Sequence, residues 1–368
     1  MSYDIGDLAI QSLLPALVRA EDQLARLDEI VHRSTVGAGV VQRGHFFDSA
    51  ASMWISGQLV HVEDLVLHDA NMDIRTPTHE LTLAHAILRA RRRIAGADPD
   101  WALSEAGIAT LAGVAPIASP LDEDAHREVE IEMHDDDDQL ASEFAAIDAI
   151  LDRSRRVIDG LEAERSAAPV VRSSLVVGDL VIRDSDWDEQ ERLTEFRKVM
   201  KQVEMLPPAL AAAVLFDAWE TLEPIQRQHG LGGQLVSAYL RARRKVTSHV
   251  PTFNIGLKAV PRERRRAHAR STRLSAFLEA MAAAADFGMK EVYRLSQARD
   301  QMERKLRGRR SSSSLPAVMD LVLTHPIVSA PMIAKAARVT TRGALNLIGE
   351  LGVREMTGRG RYRAWGVI

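Results

Sequence analysis

The stretch LEPIQRQHGLGGQL (222–235) sets a Pro, a His and three glycines just after the apolar run MLPPALAAAVLFDAWE. Glycines that open a helix let backbone N–H groups approach an anion, so this spacing points to phosphate chemistry. A second pattern ends the chain, where TTRGALNLIG (340–349) precedes REMTGRGRYRAW (354–365). Guanidinium and carboxamide groups at helical spacing can read base edges, and arginines clustered in a turn are phosphate ligands. A third pattern is the acid run HDDDD (134–138). His134 with Asp135–Asp138 reads either as a divalent-metal site or as the acidic first turn of the helix QLASEFAAIDAILDRSRRVIDGLEAE. Consecutive residues do not converge on one ion without a special loop, and carboxylates favour a helix N-terminus, so the second reading is preferred.

The elements that position these groups are mainly helical. Ala, Leu and Arg are abundant, and aromatic residues make up only 5% of 368. Helical periodicity runs through 8–33, with Pro15 near a helix start or kink. It runs through 45–67 with a Gly-marked break, through 77–96 up to Gly96, and through a short segment after 100. Residues 113–189 differ: a Pro-containing aperiodic start, the acid run, one helix, then a candidate strand pair in PVVRSSLVVGDLVIRD (169–184). After 190 helices resume, and the tract RGRRSSSS (307–314) reads as a domain boundary. The organisation expected is an N-terminal helical region at 1–112, an insertion at 113–189, a helical core at 190–306, a linker at 307–314 and a C-terminal domain at 315–368.

There is no Cys, which excludes disulfides and thiolate metal sites and fits a reducing cytoplasm. The N-terminus lacks the order of a signal peptide, and no apolar run is long enough to span a membrane. The net charge of −4 conceals a strong asymmetry. Residues 241–368 carry 26 Lys and Arg against 9 Asp and Glu, and 1–240 carry 21 against 42. A polyanion partner for the basic end is the favoured reading, with mutual neutralisation of the two halves as the alternative.

In the last domain, 315–326 reads as a helix closed by Pro326. A second helix over 329–339 has Ser329 as N-cap and Pro331 in its first turn. A third, over 340–353, is capped by Thr340 or Thr341. Ala344, Leu345, Ile348 and Leu351 are expected to face inward, with Arg342, Asn346 and Glu350 toward the other side. A basic hairpin follows. Three short helices and a hairpin make a winged helix-turn-helix, whose third helix enters the major groove of double-stranded DNA. Thr340, Thr341, Arg342 and Asn346 are then the candidates for base edges and flanking phosphates, and Arg359, Arg361 and Arg363 for the wing. Arg243, Arg244, Arg264, Arg265 and Arg266 are candidates for further phosphate contacts. The alternative is a winged helix that binds protein.

The segment MLPPALAAAVLFDAWETLEPIQRQHGLGGQLVSAYL resembles the core of the Fic family. In that family a helix of pattern PP-ALxAAxxHxxFExI leads into H-P-F-x-[DE]-G-N-G-R-x-x-R and an apolar helix. The likeness covers most of 45–110 and 190–368, including the ending LGVREMTGRGRYRAW. The combination also resembles a group of uncharacterised plasmid-associated α-proteobacterial proteins with a C-terminal helix-turn-helix. The resemblance implies a Fic-like helical body and, in the family, AMP transfer.

The family's reacting groups are replaced in this chain. Alignment on Trp219-Glu220 and Pro224 sets Glu223 at the catalytic His, and a carboxylate of ordinary pKa is a weak base at neutral pH. Arg227 stands at the metal-binding acid and would repel Mg²⁺. Gln228, His229, Gly230 and Leu231 occupy the phosphate cradle, and Gln234 the last Arg; Gly230 and Gly233 persist. The family's inhibitory S-x-x-x-E-G corresponds to Ser52, Ser56 and Gly57, so its Glu is also lost. His229 as a relocated base is the opposing reading. The expectation is therefore a cytoplasmic transcriptional regulator without enzymatic activity or cofactor, built on an inactive Fic-like scaffold. A homodimer on DNA and a small anionic effector are the expected partners. A divergent AMP transferase and a non-catalytic interaction scaffold are the alternatives.

Overall fold

The computed structural model describes residues 2–112 except Asp7, Ile74 and Arg75, and 187–367 except 226–228, 307–313 and 358–362. The expected acid run, helix and strand pair of 113–189 fall outside these residues up to 186, and so do Arg227, Gln228, Arg359 and Arg361. Residues 1–116 and 185–368 form one compact unit.

The described body is helical: α1 (Ile10–Arg33), α2 (Gly37–Ile55), α3 (Val62–Asp69), α4 (His79–Gly96), α5 (Glu105–Leu111), α6 (Glu189–Gln202), α7 (Pro208–Leu222), α8 (His229–Ala242), α9 (Phe253–Ala259), α10 (Arg262–Arg265) and α11 (Arg270–Leu306). Several boundaries are set by side-chain caps and a proline. Thr78 caps α4 by accepting from Leu81 N, Ser104 caps α5 by accepting from Gly107 N, and Pro208 stands in the first turn of α7. Pro15 lies inside α1, five residues past the helix start. Ser56 and Gly57 form the break after α2, with Gly57 at φ 82°. Helix α2 begins eight residues before the segment that periodicity marks.

Two helices organise the core. Helix α7 is buried from Ala209 through Trp219 and apolar there except for Asp217, which accepts from Tyr3 Oη at 2.7 Å and from Arg273 Nε at 2.6 Å. Helix α11, 37 residues and so about 55 Å long, packs along α1, α2, α7 and α9. Its approach to α9 is close: a Cβ on Gly256 would fall 1.8 Å from the carbonyl oxygen of Ala280.

The C-terminal part comprises α12 (Leu315–Thr324), α13 (Ala330–Ala337), α14 (Thr341–Leu351) and strands β1 (Val328–Ser329), β2 (Arg354–Glu355) and β3 (Ala364–Gly366). The strands pair antiparallel in the order β1-β3-β2, with Val328 opposite Trp365 and Arg354 opposite Gly366. Three helices with this sheet constitute a winged helix-turn-helix, so the protein is mainly α with a C-terminal DNA-binding-type domain. Strand β1 leaves no signal in the sequence, because two residues between helices give no period.

The winged helix does not hang from a tether. Ile327, Met332 and Ala364 share an apolar cluster with Phe46, Met53, Leu65, Ala84 and Leu88 of the body. Gly39 of α2 lies so near α12 that a Cβ there would meet the Leu323 carbonyl oxygen at 2.6 Å. At the centre of this seam is Arg43, 1% exposed. Its Nε donates to Glu291 of α11 at 2.6 Å, and its other nitrogens donate to the carbonyls of Val322, His325 and Val367. A second buried pair lies deeper in the body. Arg91, fully buried, donates to Asp48 at 2.6 Å and to the carbonyls of Val250 and Pro251, and Asp48 also accepts from Asn254 and the Ile255 amide. Among the described residues, no helix is long and apolar enough to cross a membrane.

Two predictions arise here. Breaking a buried ion pair costs up to about 3–5 kcal/mol; without Arg43, Glu291 keeps only Arg294, and the carbonyls of Val322, His325 and Val367 lose the hydrogen bonds that Arg43 gives them. Arg43→Met is therefore expected to lose that much unfolding free energy in urea denaturation, and a loss below about 1 kcal/mol would contradict the role given to Arg43. The second concerns acid. Burial, reinforced by Arg91, pushes His45 down to about 3, and burial pushes His249 down to about 4, both from an ordinary 6.5. The folded chain keeps both rings neutral where the unfolded chain protonates them, so their stabilisation is complete above pH 6.5 and is lost as pH falls toward 4 and 3. The expected slope is about 1.4 kcal/mol per pH unit for each histidine. Denaturation at pH 7 and pH 5 should show it, and His249→Gln should remove one histidine's share; equal slopes in the two proteins would contradict the assignment.

Candidate nucleic-acid interface

The winged helix is built outward from its caps. Ser329 caps α13, its Oγ accepting from Met332 N at 3.4 Å. A three-residue turn follows, and Thr340 caps α14, its Oγ accepting from Gly343 N at 3.2 Å. Of the two threonines that could cap this helix, the structure selects Thr340. Helix α14 ends on Gly352 at φ 62°, where Lys305 at the end of α11 donates to the Leu351 carbonyl at 2.8 Å. The long helix of the body thus reaches the last turn of α14.

Helix α14 buries Ala344, Ile348 and Leu351. Thr341, Arg342, Leu345, Asn346 and Gly349 are exposed along the opposite face. Leu345, expected inward, is instead 37% exposed, because Ala344 and Ile348 already fill the buried stripe. Arg342 and Asn346 are one helical turn apart, and neither has an intramolecular hydrogen bond or ion pair among the described residues. Their polar groups are free for a partner.

Of the three arginines expected in the wing, Arg363 is among the described residues, and it is engaged within the domain. Arg363 donates to Glu355 Oε2 from Nε at 3.0 Å and from Nη2 at 2.6 Å, and its guanidinium stacks 5.2 Å from the Trp365 ring centre. It ties β2 to β3, and its hydrogen bonds hold the Glu355 carboxyl below the usual range. Several body arginines are likewise engaged. Arg264 grips Glu279 with two nitrogens, Arg265 donates to the Val260 carbonyl at 3.1 Å, and Arg243 donates to Tyr239 Oη at 2.7 Å. Arg244 stays exposed at the end of α8.

The Gly-rich stretch is helix rather than loop. Its glycines lie in the first turns of α8, where each solves a packing problem. A Cβ on Gly232 would fall 2.5 Å from the Trp219 indole, and one on Gly233 would fall 2.4 Å from Asn254 Oδ1. A Cβ on Gly230 would meet Ser52 Oγ at 3.0 Å, so the segment around Ser52 does lie against the Gly-rich stretch. Leu231 and Gln234 are buried. Glu223, by contrast, is exposed at the C-cap of α7 with φ 42°. Ser56 is exposed and donates to the Ser52 carbonyl at 3.2 Å. His229 is the first residue of α8. Ser52 Oγ and Gln234 Oε1 are buried without a hydrogen-bond partner among the described residues. Among the described residues, no group of three or more His, Asp or Glu could hold a metal ion.

Sequence reasoning missed the buried charges Arg43, Asp48, Arg91 and Glu291. The signal was available in part: in GAGVVQRGHFFDSAASMWI, polar residues recur where a buried helix should be apolar. Their partners are distant in sequence, and periodicity does not name them.

Comparison with known proteins agrees with this geometry. Residues 181–307 match a family described as "Protein of unknown function (DUF1612)". Residues 315–368 match a family described as "HTH DNA binding domain". The chain is 44% identical over 383 residues to the uncharacterized protein y4cF of Sinorhizobium fredii, with 100% of both chains covered.

Proposed function

For a chain that belongs to the same family as the Sinorhizobium fredii protein y4cF and ends in a helix-turn-helix DNA-binding domain, we propose a transcriptional regulator that reads duplex DNA with α14 and whose Fic-like body performs no nucleotide transfer. The observation that carries this reading is the outward face of α14, where Arg342 and Asn346 stand one turn apart, exposed and without a partner among the described residues. An Arg pairs in bidentate fashion with guanine and an Asn with adenine in the major groove, and exposed Leu345 suits a thymine methyl. A single winged helix covers a short site, so the regulator acts as a homodimer on two half-sites.

Catalytic silence in the body is supported by the fate of the residues that the Fic resemblance aligns. Glu223 replaces the base and faces solvent at a helix end. The close approach of Trp219 to Gly232 and of Asn254 to Gly233 supports a packing role for these glycines. Ser52 Oγ, buried beside the start of α8 with no hydrogen-bond partner among the described residues, is a donor that a small anionic effector there would use. Ser52 and Arg43 lie on the same helix about 13 Å apart, which gives such an effector a rigid path to the winged helix.

The reading is tested by retention of a labelled mixed-sequence duplex across a salt series. Affinity should fall steeply with salt, and Arg342→Glu should weaken it by at least about tenfold. On a preferred site, Asn346→Ala should cost about 1–3 kcal/mol of discrimination. Unchanged retention by Arg342→Glu would overturn the DNA reading. Incubation with labelled ATP and Mg²⁺ should label nothing; transfer that disappears in Glu223→Ala would replace the silent body with an AMP transferase.

A further inference from the structure

The turn between α13 and α14 contains a conformational oddity. Arg338 ends α13 in the left-handed region, at φ 52° and ψ 47°. The Val339 amide donates to the Ala334 carbonyl at 3.0 Å, which closes the turn in the manner of a Schellman cap. At that position glycine is the usual residue, because a Cβ there crowds the following carbonyl. Asn71, Glu223 and Arg244 are the other non-glycine residues with positive φ among the described residues, and none of them is in the helix-turn-helix.

The Arg338 side chain gains nothing from the fold that would offset this strain. It is exposed and has no hydrogen bond, ion pair or ring contact among the described residues. This contrasts with Arg43, Arg91, Arg264, Arg273 and Arg363, each held by a carboxylate. Lys335, one turn earlier on α13, and Arg342, in the first turn of α14, are also exposed and unpaired among the described residues. The chain therefore sets three uncompensated cations around the turn that leads into the reading helix, the middle one at a conformational cost. A strained residue that serves no internal contact is best explained by a contact outside the molecule.

The geometry points to Arg338 as a phosphate-anchoring residue, which trades stability of the turn for a charged contact with the DNA backbone beside the groove that α14 enters. This inference rests on the DNA-reading role of α14 and adds to it a residue that fixes register without reading sequence. A backbone anchor contributes equally to every sequence, whereas Arg342 and Asn346 discriminate between sequences.

The experiment uses the full chain, a labelled mixed-sequence duplex and the variants Arg338→Gly, Arg338→Lys and Arg342→Glu. Arg338→Gly should raise the thermal unfolding midpoint, because glycine relieves the left-handed strain. The same variant should bind about eightfold more weakly at about 0.1 M monovalent salt, and its slope of log affinity against log salt should be shallower by about 0.9, the effect of one lost phosphate contact. Arg338→Lys should recover most of the affinity and slope. Should Arg338→Gly bind with unchanged affinity and slope while Arg342→Glu loses retention, the anchor is wrong and the reading of α14 stands. Should Arg342→Glu also bind like the parent, both are wrong. A lowered midpoint in Arg338→Gly would remove the strain argument and with it the inference.

Discussion

The architecture depends on one buried cation. Arg43 lies at 1% exposure between α2, α11 and the winged helix, and its guanidinium spans a carboxylate on one side and backbone carbonyls of the C-terminal domain on the other. Glu291 answers its charge and is in turn shared with Arg294. A buried charge of this kind is tolerated only when its donors are satisfied, so the carbonyls of Val322, His325 and Val367 must be presented in one arrangement. Apolar contact alone would let α12 slide on α2. The fan of hydrogen bonds from Arg43 fixes both the position and the rotation of the winged helix, and Lys305 adds a second fixed point at the end of α14.

The glycines of the Gly-rich stretch have a packing use that the sequence alone does not reveal. Glycines at the start of a helix are compatible with phosphate binding, but they are equally what close helix packing demands. The distances show the second use. Trp219 and Asn254 occupy the space where side chains at Gly232 and Gly233 would stand, and the Asp48–Arg91 pair lies directly behind Asn254. These contacts hold α8 against α7 and α9 in the middle of the body. Close helix packing accounts for the glycines at 232 and 233.

Much of the fold is legible in the sequence because its signals are local. Ser329 and Thr340 cap helices as their side chains predict, Gly57 takes a positive φ at the Gly-marked break after α2, and the amphipathic period of α14 tells which face carries Arg342 and Asn346. What is not legible is long-range. Arg43 meets Glu291 across 248 residues and Val367 across 324. Strand β1 exists only because β3 pairs with it. The tract at 307–314 reads as a boundary by composition, yet the domains on either side share a core, since composition reports on a segment's own solvation and not on what its neighbours bury. Arg363 looks like a free wing cation in the sequence because Glu355, its partner, lies across the hairpin.

The central claim is that a winged helix held rigidly on a silent helical body reads a defined DNA sequence. Selection of genomic fragments by the full chain at moderate salt, followed by sequencing, tests it most directly. The account predicts one enriched motif with two related half-sites at a fixed separation, matching a two-fold pair of α14 helices. Fragments recovered without any shared motif, or no recovery at all, would contradict it.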